Sequence, residues 1–251
     1  MFTKIKNALF GENKQLKFNK ICKANQISLE YKLNKNELQI LSDIFEGREY
    51  SDYFPFYKKV TIIDIGAHYG YFSIFANKNT NNQSTIFAVE PSIMNFEKIT
   101  SNINKNKIEN IVALNCALGT KNENATLYLG NTSNNSLIHD YSLLKKEKSN
   151  EEIEIKTLDT IILENKVGKI DFLKMDCEGS EYLILGNMSS QTFDKISTIS
   201  MEFHDLKNEK YTAETLLNIL INNNFKIVKY QYNKTSMGLN YGKIIATKMF
   251  N

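Results

Sequence analysis

Three stretches place groups able to bind or move a proton at short, regular spacing. In Asp64-Ile-Gly-Ala-His-Tyr-Gly-Tyr-Phe-Ser73, a carboxylate precedes Gly66, Ala67, His68 and Gly70, and a hydroxyl closes the run at Ser73. Gly66 lets a chain turn sharply after a strand, and Gly70 lets a ligand approach the start of the next helix. A helix N-terminus there carries partial positive charge and unpaired N–H groups, suited to a carboxylate. Asp64 can accept from an ammonium or orient the turn. In Phe87-Ala-Val-Glu-Pro-Ser92, Glu90 stands 26 residues after Asp64, where a carboxylate can accept from both hydroxyls of a ribose. The third stretch, Asp176-Cys-Glu-Gly-Ser-Glu181, gathers three carboxylates, and Glu202 and His204 add a fourth with an imidazole.

Such groups act together only if strands bring them to one rim. Val60 to Ile65 is a nearly unbroken apolar run, as expected of a strand buried on both faces. A helix follows over Tyr71 to Asn77, then a strand over Ile86 to Val89 that ends at Glu90. Next come a helix (Ile93 to Asn104), a strand (Ile111 to Leu114) and a hairpin-like excursion. The excursion holds Ala125 to Leu129, a loop over Gly130 to Ser136, and Glu152 to Leu158. A strand from Ile170 to Met175 leads into Asp176, with a helix from Ser180. Another, Ile196 to Met201, leads to Glu202 and His204. A helix over Ala213 to Asn222 and strands over Phe225 to Tyr230 and Lys243 to Thr247 close the chain. Only about a dozen polar residues join that last pair, too few for a parallel crossover, so it is expected to be antiparallel.

Residues 1 to 58 read as a mostly helical lead-in or cap, and 59 to 251 as the domain that holds the site. Leu38, Leu41, Ile44 and Phe45 recur at helical spacing, with Gly47 as a stop. The aromatic run from Tyr50 to Phe56 caps the domain or overhangs a site. Phe2, Ile5 and Leu9 share a helical face beside Lys4 and Lys6, which suits packing on the domain or, as the alternative, a weak peripheral membrane contact.

Alternating strands and helices imply a mostly parallel sheet with helices on both faces. Five parallel units plus a terminal antiparallel pair give the seven-stranded, Rossmann-like layout of class I methyltransferases. Ligands of such sheets bind beyond the strand carboxyl ends where strand order reverses. A nicotinamide oxidoreductase is the nearest competitor. Its pyrophosphate needs G-x-G-x-x-G, whereas here glycines stand at 66 and 70, with Phe72 where another is wanted. Tyr141 and Lys145 match that class's Y-x-x-x-K only within a Lys/Glu/Ser-rich stretch, so the oxidoreductase is set aside.

The three motif stretches, together with Thr157-Leu-Asp159 and Asp171-Phe-Leu-Lys-Met175, resemble the FkbM-type family of methyltransferases. The run D-x-E-G-x-E after a buried strand is the most specific part. The resemblance covers residues 60 to 204 and implies S-adenosyl-L-methionine as cofactor, held by Asp64, Gly66, Ala67, His68, Gly70, Ser73, Glu90 and Asp176. Asn115-Cys-Ala-Leu-Gly119 resembles the family's third strand end, which puts Cys116 and Ala117 beside the adenine. His68 departs from the family, which commonly has Asn there, although an imidazole can still donate to a carboxylate. The resemblance also implies O-methylation of sugars and secondary metabolites.

Methyl transfer is an in-line displacement, and alignment alone can supply roughly 7–11 kcal/mol. A hydroxyl acceptor must also lose its proton to a base within hydrogen-bond reach. His204 is the expected base because an imidazole titrates near working pH. Glu202 would orient it, Glu178 would bond the acceptor, and Asp176 would orient the cofactor's methionine end or the acceptor. No dedicated metal site is read. A variant has some of these four groups holding a divalent cation on the acceptor oxygen, and hard oxygen ligands would suit Mg²⁺. Cys177 and Cys116 read as packing residues.

The 251 residues suffice for one large domain without staples, and 31 basic against 28 acidic residues, net +3, do not suggest a nucleic-acid binder. Three cysteines without a C-x-x-C pair fit a reducing, cytoplasmic setting. The expected partner is a small-molecule or glycan hydroxyl acceptor. Two alternatives stay open: amino-group methylation of nucleic acid or protein, and a non-catalytic scaffold in a polysaccharide-assembly complex. Against amino-group methylation, no proline follows Asp176 as it would in N-P-P-Y or D-P-P-Y.

Overall fold

The computed structural model describes residues 2–30, 35–129, 149–205, 210–234 and 240–249. Two helices, α1 (Phe2–Asn25) and α2 (Lys35–Phe45), lead into β1 (Thr61–Ile65). Then follow α3 (Tyr71–Asn79), β2 (Thr85–Val89), α4 (Ile93–Lys105) and β3 (Ile111–Leu114). Three strands, β4 (Ala117–Leu118), β5 (Glu123–Leu129) and β6 (Ser149–Lys156), form a small second sheet in the order β4-β6-β5. The chain returns through α5 (Leu158–Glu164), β7 (Phe172–Met175), α6 (Glu181–Asn187), α7 (Ser190–Lys195) and β8 (Thr198–His204). It closes with α8 (Ala213–Asn222), β9 (Phe225–Asn233) and β10 (Tyr241–Lys248).

The main sheet has seven strands in the order β3-β2-β1-β7-β8-β10-β9. β1 pairs parallel with both β2 and β7, β7 pairs parallel with β8, and β10 runs antiparallel to β8 and β9. This is the mostly parallel, terminally antiparallel sheet that the alternation of elements predicts. Strand order reverses between β1 and β7, so a crevice opens where their carboxyl ends diverge.

Burial on both faces explains why Ile62, Ile63 and Ile65 of β1 are all apolar. Ile63 and Ile65 join one core with Leu158 and Ile161 of α5, Ile184 of α6, Phe193 of α7 and Leu216 of α8. Ile62 joins the other with Phe18 and Ile21 of α1, Leu41 of α2, Phe72 of α3 and Ile99 of α4. Each strand residue therefore meets helices whichever face it points to. The lead-in thus shares a core with the sheet, and Phe54 packs edge-on against Phe72, Phe75 and Phe172.

Several elements differ from the sequence reading. The expected strand over Glu152 to Leu158 stops at Lys156, because the Thr157 side chain accepts from Thr160 N at 3.1 Å and caps α5. Asp159, one residue into that helix, accepts from Thr192 Oγ1 at 2.5 Å and from Ser189, tying α5 to α7. The Thr157-Leu-Asp159 motif is therefore a structural clasp. β8 continues through His204, so Glu202 and His204 lie on the strand. The Gly130 to Ser136 loop and the pair Tyr141 and Lys145 lie outside the described residues. Among those described, no helix is long and apolar enough to cross a membrane.

Candidate active site

The turn after β1 is built on left-handed backbone at Gly66, His68 and Gly70, with φ of 73°, 53° and 77°. Gly66 and Ala67 donate to Val89 O at 3.0 Å each, which folds the turn over the end of β2. A Cβ on Gly66 would stand 1.8 Å from the Asp176 carbonyl oxygen, so only glycine lets the ends of β1 and β7 approach this closely.

Beneath the turn lies a buried ion pair that the sequence analysis did not single out. Lys174 Nζ is 3.1 Å from Asp64 Oδ1 and donates to Gly66 O at 2.7 Å and Ile65 O at 3.2 Å. Ser73 Oγ donates to Asp64 Oδ2 at 2.6 Å. Burial alone would lower the Lys174 ammonium, but Asp64 and then Asp176 outweigh it and raise its pKa. Asp64 and Ser73 therefore brace the turn from behind.

In front of the turn is a cleft of about 690 Å³, within the usual range for a small-molecule site. Its walls include Gly66, Ala67, His68, Glu90, Cys116, Ala117, Asp176, Glu178, Glu202 and His204, ten of the thirteen residues singled out from sequence. Asp64, Gly70 and Ser73 are the three that do not line it. Leu118 and Leu127 extend the apolar wall around Cys116. Burial pushes the Cys116 thiol up to about 11 and the Cys177 thiol well above its ordinary value, so both are packing residues, not nucleophiles.

Glu90 is 5 % exposed and already accepts from His68 N at 2.9 Å, Ser92 N at 3.0 Å and Asn95 Nδ2 at 3.1 Å. Burial nonetheless outweighs these bonds and pushes its carboxyl up to about 7. The His68 ring stacks on Tyr69 with centroids 4.0 Å apart. Both its ring nitrogens are shut off from solvent without a hydrogen-bond partner. Burial, reinforced by the Lys174 charge, pulls its pKa down to about 4, so the ring is neutral within the cleft wall.

At the opposite end, His204 Nε2 is 3.4 Å from Glu178 Oε2 and 3.6 Å from Glu202 Oε1, while Nδ1 is 3.5 Å from Glu181 Oε1. Burial alone would lower the imidazole, but Glu178, Glu181 and Asp176 outweigh it and push its pKa up to about 10. The neighbouring carboxylates thus favour the protonated imidazole, the form in which His204 orients a carboxylate, over the free base expected from sequence. Burial and the Asp176 charge raise the Glu202 carboxyl above the ordinary range. For Asp176, burial is outweighed by Lys174 and then His204, and its carboxyl is lowered. Glu181, the opening residue of α6, steadies His204 and accepts from Cys177 N at 3.1 Å.

Two further wall residues come from outside the motifs. Tyr50 of the lead-in donates to Asp176 Oδ2 at 2.9 Å, and Lys243 of β10 forms an ion pair with Glu49. The aromatic run thus does both things left open from sequence, with Phe54 in the core and Tyr50 in the cleft wall.

Residues 64–227 match the methyltransferase FkbM domain. "Methyltransferase 1" of Beauveria bassiana is 28 % identical over 195 residues, spanning 71 % of this chain and 78 % of that protein. Among solved structures, methyltransferase FkbM from Methylobacillus flagellatus covers 92 % of this chain and 59 % of its own, with 14 % identity and a TM-score of 0.49. Precorrin-6y C5,15-methyltransferase from Geobacter metallireducens covers 89 % and 95 %, with the same identity and score.

Proposed function

The chain belongs to the FkbM methyltransferase family, and from that premise we propose that it moves a methyl group from S-adenosylmethionine to a hydroxyl of a sugar, glycan or small polyhydroxy metabolite. The observation that carries this reading is the division of one cleft into three chemistries. The apolar wall at Cys116, Ala117 and Leu118 suits adenine, and the buried Glu90 carboxylate suits two ribose hydroxyls. The Asp176 carboxylate beside the glycine turn suits the ammonium of an amino acid, which supports a cofactor combining all three. When bound, the cofactor supplies an already activated methyl group.

The chain's own groups then have to align the acceptor and take its proton. Glu202 is the base in this reading, because it faces the cleft and its carboxyl, pushed up to about 8, gives up its proton far closer to neutrality than the His204 imidazole at about 10, so the ionised share accepts the proton. The His204 cation orients that carboxylate, the reverse of the order expected from sequence, and Glu178 is placed to accept from the acceptor. A cytoplasmic, reducing setting completes the reading, supported by the free thiols of Cys22, Cys116 and Cys177.

Incubation with methyl-labelled S-adenosylmethionine and an acceptor panel, read by mass, tests the proposal. Label on sugar hydroxyls, lost in Glu202→Gln, is the expected result. Label confined to RNA or protein amines overturns the acceptor class, and cofactor binding without transfer on any panel points to a scaffold.

One observation favours a metal-assisted variant. Asp176, Glu202 and His204 each offer one ligand atom, and these lie within 4.8 Å of one another. A divalent cation there would draw the acceptor oxygen to itself and lower its pKa. Turnover abolished by chelator and restored by Mg²⁺ or Mn²⁺ supports this variant, and turnover indifferent to chelator removes it.

A further inference from the structure

We propose that Tyr50 is a positioning residue for Asp176, so that the lead-in completes the cofactor end of the cleft. The two residues are 126 positions apart, yet the phenol donates to Asp176 Oδ2 at 2.9 Å. An aspartate carboxylate turns easily about its last torsion, and a charge-assisted O–H···O⁻ bond removes that freedom. With Oδ2 occupied, Oδ1 is the oxygen left for a ligand.

The phenol is itself held from several sides. Its ring meets Phe72 edge-on with centroids 5.6 Å apart, and the ammonium groups of Lys174 and Lys243 lie 5.5 and 5.4 Å from the ring centroid. Lys174 is the cation that clamps the glycine turn, so Tyr50 touches both the turn's anchor and the carboxylate opposite it. Ion pairs from Glu49 to Lys243 and from Asp52 to Lys229, the latter at 2.6 Å, fasten the segment to β10 and β9. Left-handed backbone at Arg48, Tyr50 and Tyr53, with φ of 53°, 64° and 61°, is sterically costly for such side chains. It persists where surrounding contacts over-determine the path. A segment needed only to cover apolar surface requires no buried phenol aimed at a carboxylate, because phenylalanine would fill the same volume.

This inference rests on reading the cleft as an S-adenosylmethionine site. Its test is a double-variant cycle on the full chain, with S-adenosylhomocysteine as probe. Binding is read from the ligand-dependent rise in melting temperature, which reaches weak variants at high ligand concentration. Tyr50→Phe keeps the ring and both ammonium contacts and removes the O–H alone. It is expected to melt close to the parent protein and to bind about 5- to 10-fold more weakly, the worth of one such hydrogen bond. In an Asp176→Ala background the same change should cost nothing further. An equal loss in both backgrounds, or none in either, overturns the positioning role. If the parent protein does not bind the probe at all, the cofactor reading fails first, and that outcome is distinguishable from an indifferent Tyr50.

Discussion

Lys174 Nζ lies 3.1 Å from Asp64 Oδ1 beneath the glycine turn, with the two side chains 5 % and 0 % exposed. Removing one partner strands a buried charge, which typically costs roughly 3–5 kcal/mol. Lys174→Met and Asp64→Leu, made singly, should each lower the melting temperature by about 10 °C in a chain of this size. The double variant should regain much of that stability without regaining affinity for S-adenosylhomocysteine, because the ammonium also bonds Gly66 O. Calorimetric melting and ligand titration on the three variants check both halves.

Glycine is needed at position 66 for two independent reasons, a φ of 73° and a Cβ that would stand 1.8 Å from Asp176 O. Gly70 has a similar φ of 77°, but the nearest neighbour of an added Cβ would be the Ile99 side chain at 3.4 Å. Gly66→Ala should therefore lose ligand binding and much of its stability, whereas Gly70→Ala should be destabilised by about 1–2 kcal/mol. Gly168→Ala, where a Cβ meets nothing within 4 Å, serves as the control. Melting curves rank the three.

Glu90 gives cofactor binding a pH dependence of definite sign. Burial pushes its carboxyl up to about 7, and ribose hydroxyls donate to the ionised form. Affinity for S-adenosylhomocysteine should accordingly fall as pH drops below 7, approaching about tenfold per pH unit once the carboxyl is mostly protonated. Glu90→Gln should bind more weakly at pH 8 and lose most of that slope. Calorimetric titrations from pH 6 to 8 measure both.

His204 contributes to stability in the opposite pH sense. Its pKa in the folded chain, about 10, lies above its ordinary value of 6.5. The stabilisation is therefore fully present below pH 6.5 and lost as pH rises through 10. His204→Gln leaves Glu178, Glu181 and Glu202 facing one another without the imidazolium between them, and should melt lower than the parent at pH 7. The gap between the two proteins should narrow towards pH 10.

Much of this was legible in the sequence because the informative residues are local. The apolar run of β1, the glycines at 66 and 70, and Glu90 each report on their own strand end, and the mostly parallel sheet with an antiparallel last pair follows from the alternation of such runs with helices. Lys174 was less visible: a lysine inside a buried strand has meaning only once Asp64 is seen across β1. Tyr50 is legible only in three dimensions, since nothing near it in sequence names Asp176 as its acceptor. The charge state of His204 was hidden in the sequence for a related reason. Imidazole chemistry suggests a base, but the carboxylates that hold its proton come from α6, the turn before it and β8. The cap at Thr157 was recognisable as a motif, yet its function as the end of β6 and the start of α5 depends on helix packing.

The central claim, that the cleft at the end of β1 holds S-adenosylmethionine, is tested most directly by calorimetry of the intact chain with S-adenosylhomocysteine. One site per chain is expected, abolished in Asp64→Ala. A cooperatively folded protein that takes up neither S-adenosylhomocysteine nor S-adenosylmethionine would contradict it.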